Sequence, residues 1–202
     1  MACTYCYQHN KSKNKMNFET AKKFIDDLLD DKYPNINRDN AFTVIFDFIG
    51  GEPLLEVKLI SEIWDYIITS MIQKDHPWLL YTRMSMSSNG LLYETEEAQK
   101  FFDLYGNFCS YGISVDGNKK LHDSCRLDLD GKGTYDRIIK NVHKHNSRYG
   151  ENPTTKMTIA PENINYLSEA VLNLINEKYT SIVFNCIFED VWRLEHAPIL
   201  YN

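Results

Sequence analysis

Phe42-Thr-Val-Ile-Phe-Asp-Phe-Ile-Gly-Gly-Glu-Pro-Leu-Leu55 is a nearly continuous apolar run, interrupted by Thr43 and Asp47, that stops at two glycines and a proline. A short apolar run without alternation is what a strand covered on both faces requires. Pro53 suits the first turn of a helix, and Leu59 or Ile60, Ile63, Trp64, Ile67 and Met71 then recur at helical spacing. The stretch reads as strand, tight turn, helix, the repeating unit of a parallel α/β fold. Glycines at a strand end also let a ligand's polar head approach the backbone.

The same alternation extends both ways. Phe18, Ala21, Phe24, Ile25, Leu28 and Leu29 mark a helix before this strand. After it, strands are predicted over 79–87, 108–115, 154–159 and 181–188, with helices over 94–105, from Thr134 through Ile138, Ile139 and Val142, and over 161–178. The last helix turns Tyr166 or Leu167, Ala170, Val171, Leu174 and Ile175 inward. Thr134 is placed to cap its helix. Residues 116–133 read as a long polar loop, and loops of that length are uncommon unless they have a function.

A chain of 202 residues that is 43% hydrophobic can bury one sizeable core, so one domain over 1–202 is expected. A net charge of −6 argues against a nucleic-acid groove, which needs clustered Lys and Arg. No apolar run approaches the roughly 20 residues that span a bilayer, and no basic-then-apolar leader precedes Cys3. A cytoplasmic protein without nucleic-acid or membrane partners is expected. Five cysteines do not form the even framework of a secreted disulfide domain.

Two of them open the chain, in Met1-Ala-Cys-Thr-Tyr-Cys-Tyr-Gln8. A thiolate pair in a tight loop suits iron or zinc. With Gly50-Gly51-Glu52-Pro53, Ser88-Asn89-Gly90, Ser114-Val-Asp-Gly117 and His122-Asp-Ser-Cys-Arg126 following in order, the sequence resembles the radical S-adenosylmethionine (SAM) superfamily. Within it the resemblance is to peptide and protein maturases of the SPASM type, related to anaerobic sulfatase-maturating enzymes. The family's loop is Cys-x3-Cys-x-aromatic-Cys, so Cys3 and Cys6 match its last two cysteines. The first would lie two residues before Met1. A chain truncated at both ends is therefore expected, lacking the first strand and the cysteine-rich C-terminal extension.

The resemblance implies a partial (β/α)6 barrel with cofactor and substrate at the C-terminal strand ends. It implies a [4Fe-4S] cluster on Cys3 and Cys6, whose thiolates stabilise the iron-sulfide core. It also implies SAM cleavage to a 5′-deoxyadenosyl radical that takes hydrogen from a peptide or protein, with flavodoxin or ferredoxin as electron donor. Tyr5 would flank adenine, and Gly50, Gly51 and Glu52 would meet the methionyl ammonium. Ser88, Asn89, Ser114 and Asp116 would serve the ribose and carboxylate surroundings, Arg126 the SAM carboxylate. Met157, with Ile159 beside it, would pack on adenine, and Asn185 would face the ligand. Glu195-His196-Ala197 also looks like peptide-maturase sequence. A thioether or related crosslink is the expected product; formylglycine formation or an inactive SAM- or peptide-binding fragment are the alternatives. A zinc site completed by His9, His122 or His196 is a further reading.

Overall fold

The computed structural model describes residues 1–6, 14–33, 43–188 and 191–201. Its strands are β1 (Ala2–Cys3), β2 (Ile45–Phe48), β3 (Arg83–Ser88), β4 (Cys109–Ile113), β5 (Arg126–Leu127), β6 (Thr154–Ile159) and β7 (Ile182–Cys186). The helices are α1 (Phe18–Leu29), α2 (Val57–Gln73), α3 (Glu96–Tyr105), α4 (Lys119–Cys125), α5 (Tyr135–Tyr149), α6 (Leu167–Asn176) and α7 (Ala197–Tyr201). The main sheet has five strands in the order β2-β3-β4-β6-β7, and β1 pairs with β5 in a separate ribbon. The fold is mixed α/β with a curled, parallel half-barrel sheet. No helix among the described residues is long and apolar enough to cross a membrane.

The chain divides into two compact units. One comprises Lys11–Met86 and Thr95–Ser110. Here β2 and β3 pair in parallel from Ile45↔Arg83 to Phe48↔Met86. Asn17 caps α1 by accepting from Thr20 N at 2.8 Å, and Ala21, Ile25, Leu28 and Leu29 form its buried stripe. Ile60, Ile63, Trp64, Ile67 and Met71 are buried on α2 as their spacing requires. The helix expected from Leu54 begins instead as a single 3-10 turn, Pro53–Leu55, because Glu52 Oε1 accepts from Leu54 N at 3.1 Å. The strand expected from 79 begins only at Arg83. Turn bonds from Leu79 N to His76 O and from Tyr81 N to Trp78 O hold the intervening residues back from the sheet.

The other unit comprises Met1–Asn10, Ser87–Glu94 and Tyr111–Asn202. Gly112↔Thr154 and Ile113↔Thr155 join β4 to β6 in parallel, and β6 pairs with β7 from Thr155↔Ile182 to Ile159↔Cys186. Ala170 and Leu174 of α6 are fully buried and Leu167 and Val171 half-buried, but Ile175, expected inward, is exposed, as is Tyr166, the alternative to Leu167. The helix is preceded by a 3-10 turn, Ile164–Tyr166, and that tighter winding shifts the phase of the stripe.

The expected loop over 116–133 is in fact ordered. Asn118 Oδ1 caps α4 by accepting from Leu121 N at 3.0 Å, and β5 follows directly, antiparallel to β1 with Cys3↔Arg126 in register. Gly117 is required by the chain itself. Its φ is +89°, and a Cβ there would come within 2.4 Å of Ala170 Cβ.

Candidate cluster and ligand site

Cys3 and Cys6 sit on one tight turn, closed by Cys6 N donating to Cys3 O at 3.2 Å. The turn is held from outside: Thr4 N donates to Cys125 O at 3.0 Å, next to the β1–β5 pairing. Both thiols are half-buried. Burial, partly offset by the Arg126 charge, pushes the Cys3 thiol above its ordinary value, and metal coordination reverses that preference by favouring the thiolate. The pair fits two corners of an iron-sulfur cluster. Among the described residues no group of three or more His, Cys, Asp or Glu side chains gathers as a metal site. Cys109 lies elsewhere, its thiol pushed up to about 12 by burial.

Behind this turn is a buried polar hub. Arg126 Nε and Nη2 donate to Asp116 Oδ2 and Oδ1 at 2.8 and 3.1 Å. Tyr5 OH donates to Oδ2, and Thr158 N donates to Oδ1 at 3.0 Å. The Arg126 guanidinium also lies 5.4 Å from the centroid of the Tyr5 ring. Burial works against the Arg126 charge, but the adjacent carboxylate outweighs it and holds the group above its ordinary value. Burial likewise raises the Tyr5 phenol. Asp116 and Arg126, expected to serve a ligand separately, thus neutralise one another, and Tyr5 is tied to both.

His122 fixes the hub from below. Its Nδ1 accepts from Asp116 N at 3.3 Å, and Nε2 lies 3.0 Å from Thr134 Oγ1. Thr134 Oγ1 itself donates to Arg126 O at 2.8 Å, so it accepts from His122. The imidazole is neutral with its proton on Nε2. Burial lowers its pKa to about 4. With both nitrogens engaged, His122 does not complete a zinc site. His196 Nδ1 accepts from Arg193 N at 3.0 Å, and His9 lies outside the described residues. Thr134 does not cap α5 with its side chain either. Asp123 does so from outside, accepting from Thr134 N and Tyr135 N at 2.8 and 2.9 Å.

At the ends of β3 and β4, Ser114 N donates to Ser88 O at 2.9 Å. Ser88 is buried and its Oγ accepts from Gly90 N at 2.9 Å. Asn89 Oδ1 accepts from Leu91 N at 2.9 Å, an Asx turn. Both side chains therefore shape the turn, whereas Ser114 is partly open.

Strand parity corrects one expected contact. Tyr111 of β4 meets the His145 ring of α5, centroids 5.5 Å apart, so its face is the helix-covered one. Ile113 shares that parity and pairs with Thr155, which puts Met157 and Ile159 there too. Met157 is fully buried. Its side chain is on the face that Tyr111 presents to α5, and not on the face of Lys156. The opposite face carries Thr154, Lys156 and Thr158, all partly exposed, beside Asn185 of β7. With the Asn185 amide oriented to donate to Phe184 O at 3.0 Å, its oxygen accepts from Lys156 Nζ at 3.1 Å. Sequence reasoning passed over Lys156, although the polar parity of Thr154-Thr-Lys-Met-Thr-Ile159 signals it.

Thr4, Tyr5, Ser124, Cys125, Glu162, Ile187 and Val191 line a cleft of ≈ 430 Å³ against the cysteine turn. In the other unit, Gly50 and Gly51 are exposed. A Cβ on Gly50 would meet nothing within 4 Å.

Residues 1–140 match the family of 4Fe-4S single cluster domains. An uncharacterized protein of Methanocaldococcus jannaschii is 32% identical over 99% of this chain and 62% of its own length. A cysteine-type anaerobic sulfatase-maturating enzyme of Clostridium novyi is 29% identical over 70% of this chain and 36% of its own. The structure of native anSMEcpe with bound AdoMet and Kp18Cys peptide superposes with a TM-score of 0.73 at 20% identity, over 96% of this chain and 49% of that one. The chain spans less than two thirds of each of these relatives. With its cysteine turn built into a parallel α/β half-barrel, the chain belongs to the 4Fe-4S single cluster domain family, as a radical SAM, maturase-related member.

Proposed function

We propose that the protein containing this chain is a radical SAM peptide maturase. The observation that carries the reading is the tie between the Cys3–Cys6 turn and the Asp116–Arg126 hub, through Tyr5 OH and the Cys3↔Arg126 pairing. Motifs distant in sequence thereby support one loop. Further support is the likeness to the sulfatase-maturating enzymes.

Cys3 and Cys6 would hold two irons of a [4Fe-4S] cluster. The cluster, when bound, supplies the electron that cleaves SAM to a 5′-deoxyadenosyl radical. The chain's own residues orient. Asp116 fixes Arg126 and Tyr5, His122 and Thr134 fix the loop bearing them, and the partly open Ser114 offers a hydroxyl to the ligand. In the other unit, the exposed Gly50 and Gly51 would admit an ammonium to the backbone, with Glu52 beside them. The cleft beside Tyr5 would receive a peptide.

On this reading the product is a thioether or related crosslink in a ribosomal peptide, with flavodoxin or ferredoxin as donor. The 29% identity to a cysteine-type sulfatase maturase favours formylglycine formation as the second reading. The test is anaerobic reconstitution with iron and sulfide, then dithionite, SAM and an assay for 5′-deoxyadenosine. The assay is run on this chain and on a form extended upstream to include another cysteine. Turnover in the extended form is the expected result. No iron bound and no 5′-deoxyadenosine in either form would sink the proposal.

A further inference from the structure

We propose that Lys156 and Asn185 form a carboxylate-binding point on the face of the β6–β7 ladder opposite Met157. This rests on the reading above and deepens it. Lys156 is the only Lys or Arg in β4, β6 or β7. It sits mid-strand and is only partly exposed, whereas lysines are mostly exposed. Its partner among the described residues is the neutral amide oxygen of Asn185 at 3.1 Å. No carboxylate lies within ion-pair distance of it among those residues.

The contrast with Arg126 is direct, because that guanidinium is already neutralised by Asp116. Lys156 has no carboxylate partner among the described residues, and an ammonium has three donors, of which Asn185 takes one. Thr158, one pleat along on the same face, is roughly 7 Å away, and its backbone N–H bonds Asp116 at 3.0 Å. The free cation is thus one pleat from the hub that supports the cysteine turn. The chemistry that complements it is a carboxylate, either the methionyl carboxylate of SAM or an acidic group of the peptide. Asn185 holds the lysine chain in place without cancelling its charge.

The experiment measures binding to the cluster-loaded protein by calorimetry, using wild type, K156R, K156Q and N185D. The probes are SAM, decarboxylated SAM, a cysteine-centred peptide flanked by Asp, and its Asn counterpart. A charge-assisted hydrogen bond is worth roughly tenfold or more in affinity. K156Q should lose that factor, and N185D should match it, because its new carboxylate occupies the ammonium. K156R should keep most of the affinity. A loss for SAM but not for decarboxylated SAM assigns the point to the cosubstrate. A loss for the Asp peptide but not for its Asn counterpart assigns it to the substrate. Equal affinities of wild type and K156Q for all four probes overturn the proposal. So does an equal loss for charged and uncharged probes, which marks a packing effect that thermal unfolding would also register. Failure of the wild type to bind SAM at all would instead sink the radical SAM reading.

Discussion

Gly117 and Gly50 both follow strands, and they differ in what needs the glycine. At Gly117 the chain does: φ is +89°, and Ala170 leaves no room for a methyl group. At Gly50 the described chain does not, since a Cβ there would meet nothing within 4 Å. The same contrast covers their surroundings. Residues 114–134 are tied by hydrogen bonds from Asp116, His122, Asp123, Arg126 and Thr134. The Gly50–Pro53 turn is closed by the Glu52 cap. One region is specified by the protein's own packing; in the other, the backbone is left accessible.

Substitution in the hub should have the largest effect. R126M strands a buried carboxylate and should cost about 3–5 kcal/mol in urea unfolding. The double variant D116L/R126M should recover much of that loss, because it leaves neither charge buried. A single variant as stable as wild type would show that the hub does not specify its region. Acid tests the same region. Burial holds His122 and His145 at about 4, against an ordinary value near 6.5. Both are therefore neutral in the folded chain but protonate in the unfolded one. Stability should be constant above about pH 6.5, fall progressively as the pH drops from there to about 4, by on the order of 3 kcal/mol per group in all, and level off below. Urea midpoints at pH 7.5, 5.5 and 4.5 would check this, and a flat profile would contradict the burial of both rings.

G117A combines a left-handed backbone with overlap onto Ala170, and should cost about 2 kcal/mol or more in the same assay. G50A should change stability by less than about 0.5 kcal/mol while weakening SAM binding in calorimetry. Unchanged SAM affinity would end the comparison by removing any ligand role for Gly50.

Much of the fold was legible because strand and helix periods are local. The apolar run before Gly50 marked the place of β2, but not its cover: none of Ile45–Phe48 is buried and Ile45 is 61% exposed, so the expected strand covered on both faces is not found among the described residues. The stripe of α1 held except at Phe24, which is exposed, and 154–159 matched β6 to the residue. The order within 116–133 was not legible. α4 is seven residues long, and its neighbour β5 exists by pairing with β1, far away in sequence. The site was legible as residue types but less so as directions. Met157 drew attention as an apolar residue on a site-bearing strand, yet parity puts it on the face opposite Lys156. Lys156 was missed because a lysine in a strand reads as solvated until its neighbours are known. Asp116 and Arg126 were each read alone, whereas the structure bonds them to one another.

The β1–β5 ribbon bears on the order of assembly. Cys3 and Cys6 are made before the strand and carbonyl that shape their turn, Arg126 and Cys125. During vectorial synthesis the cysteines wait as an unshaped segment until residues 116–134 have folded. Loading of the cluster then follows closure of this long-range contact, and a delivery system for iron and sulfide meets a turn already shaped by residues 116–134 instead of an unshaped segment.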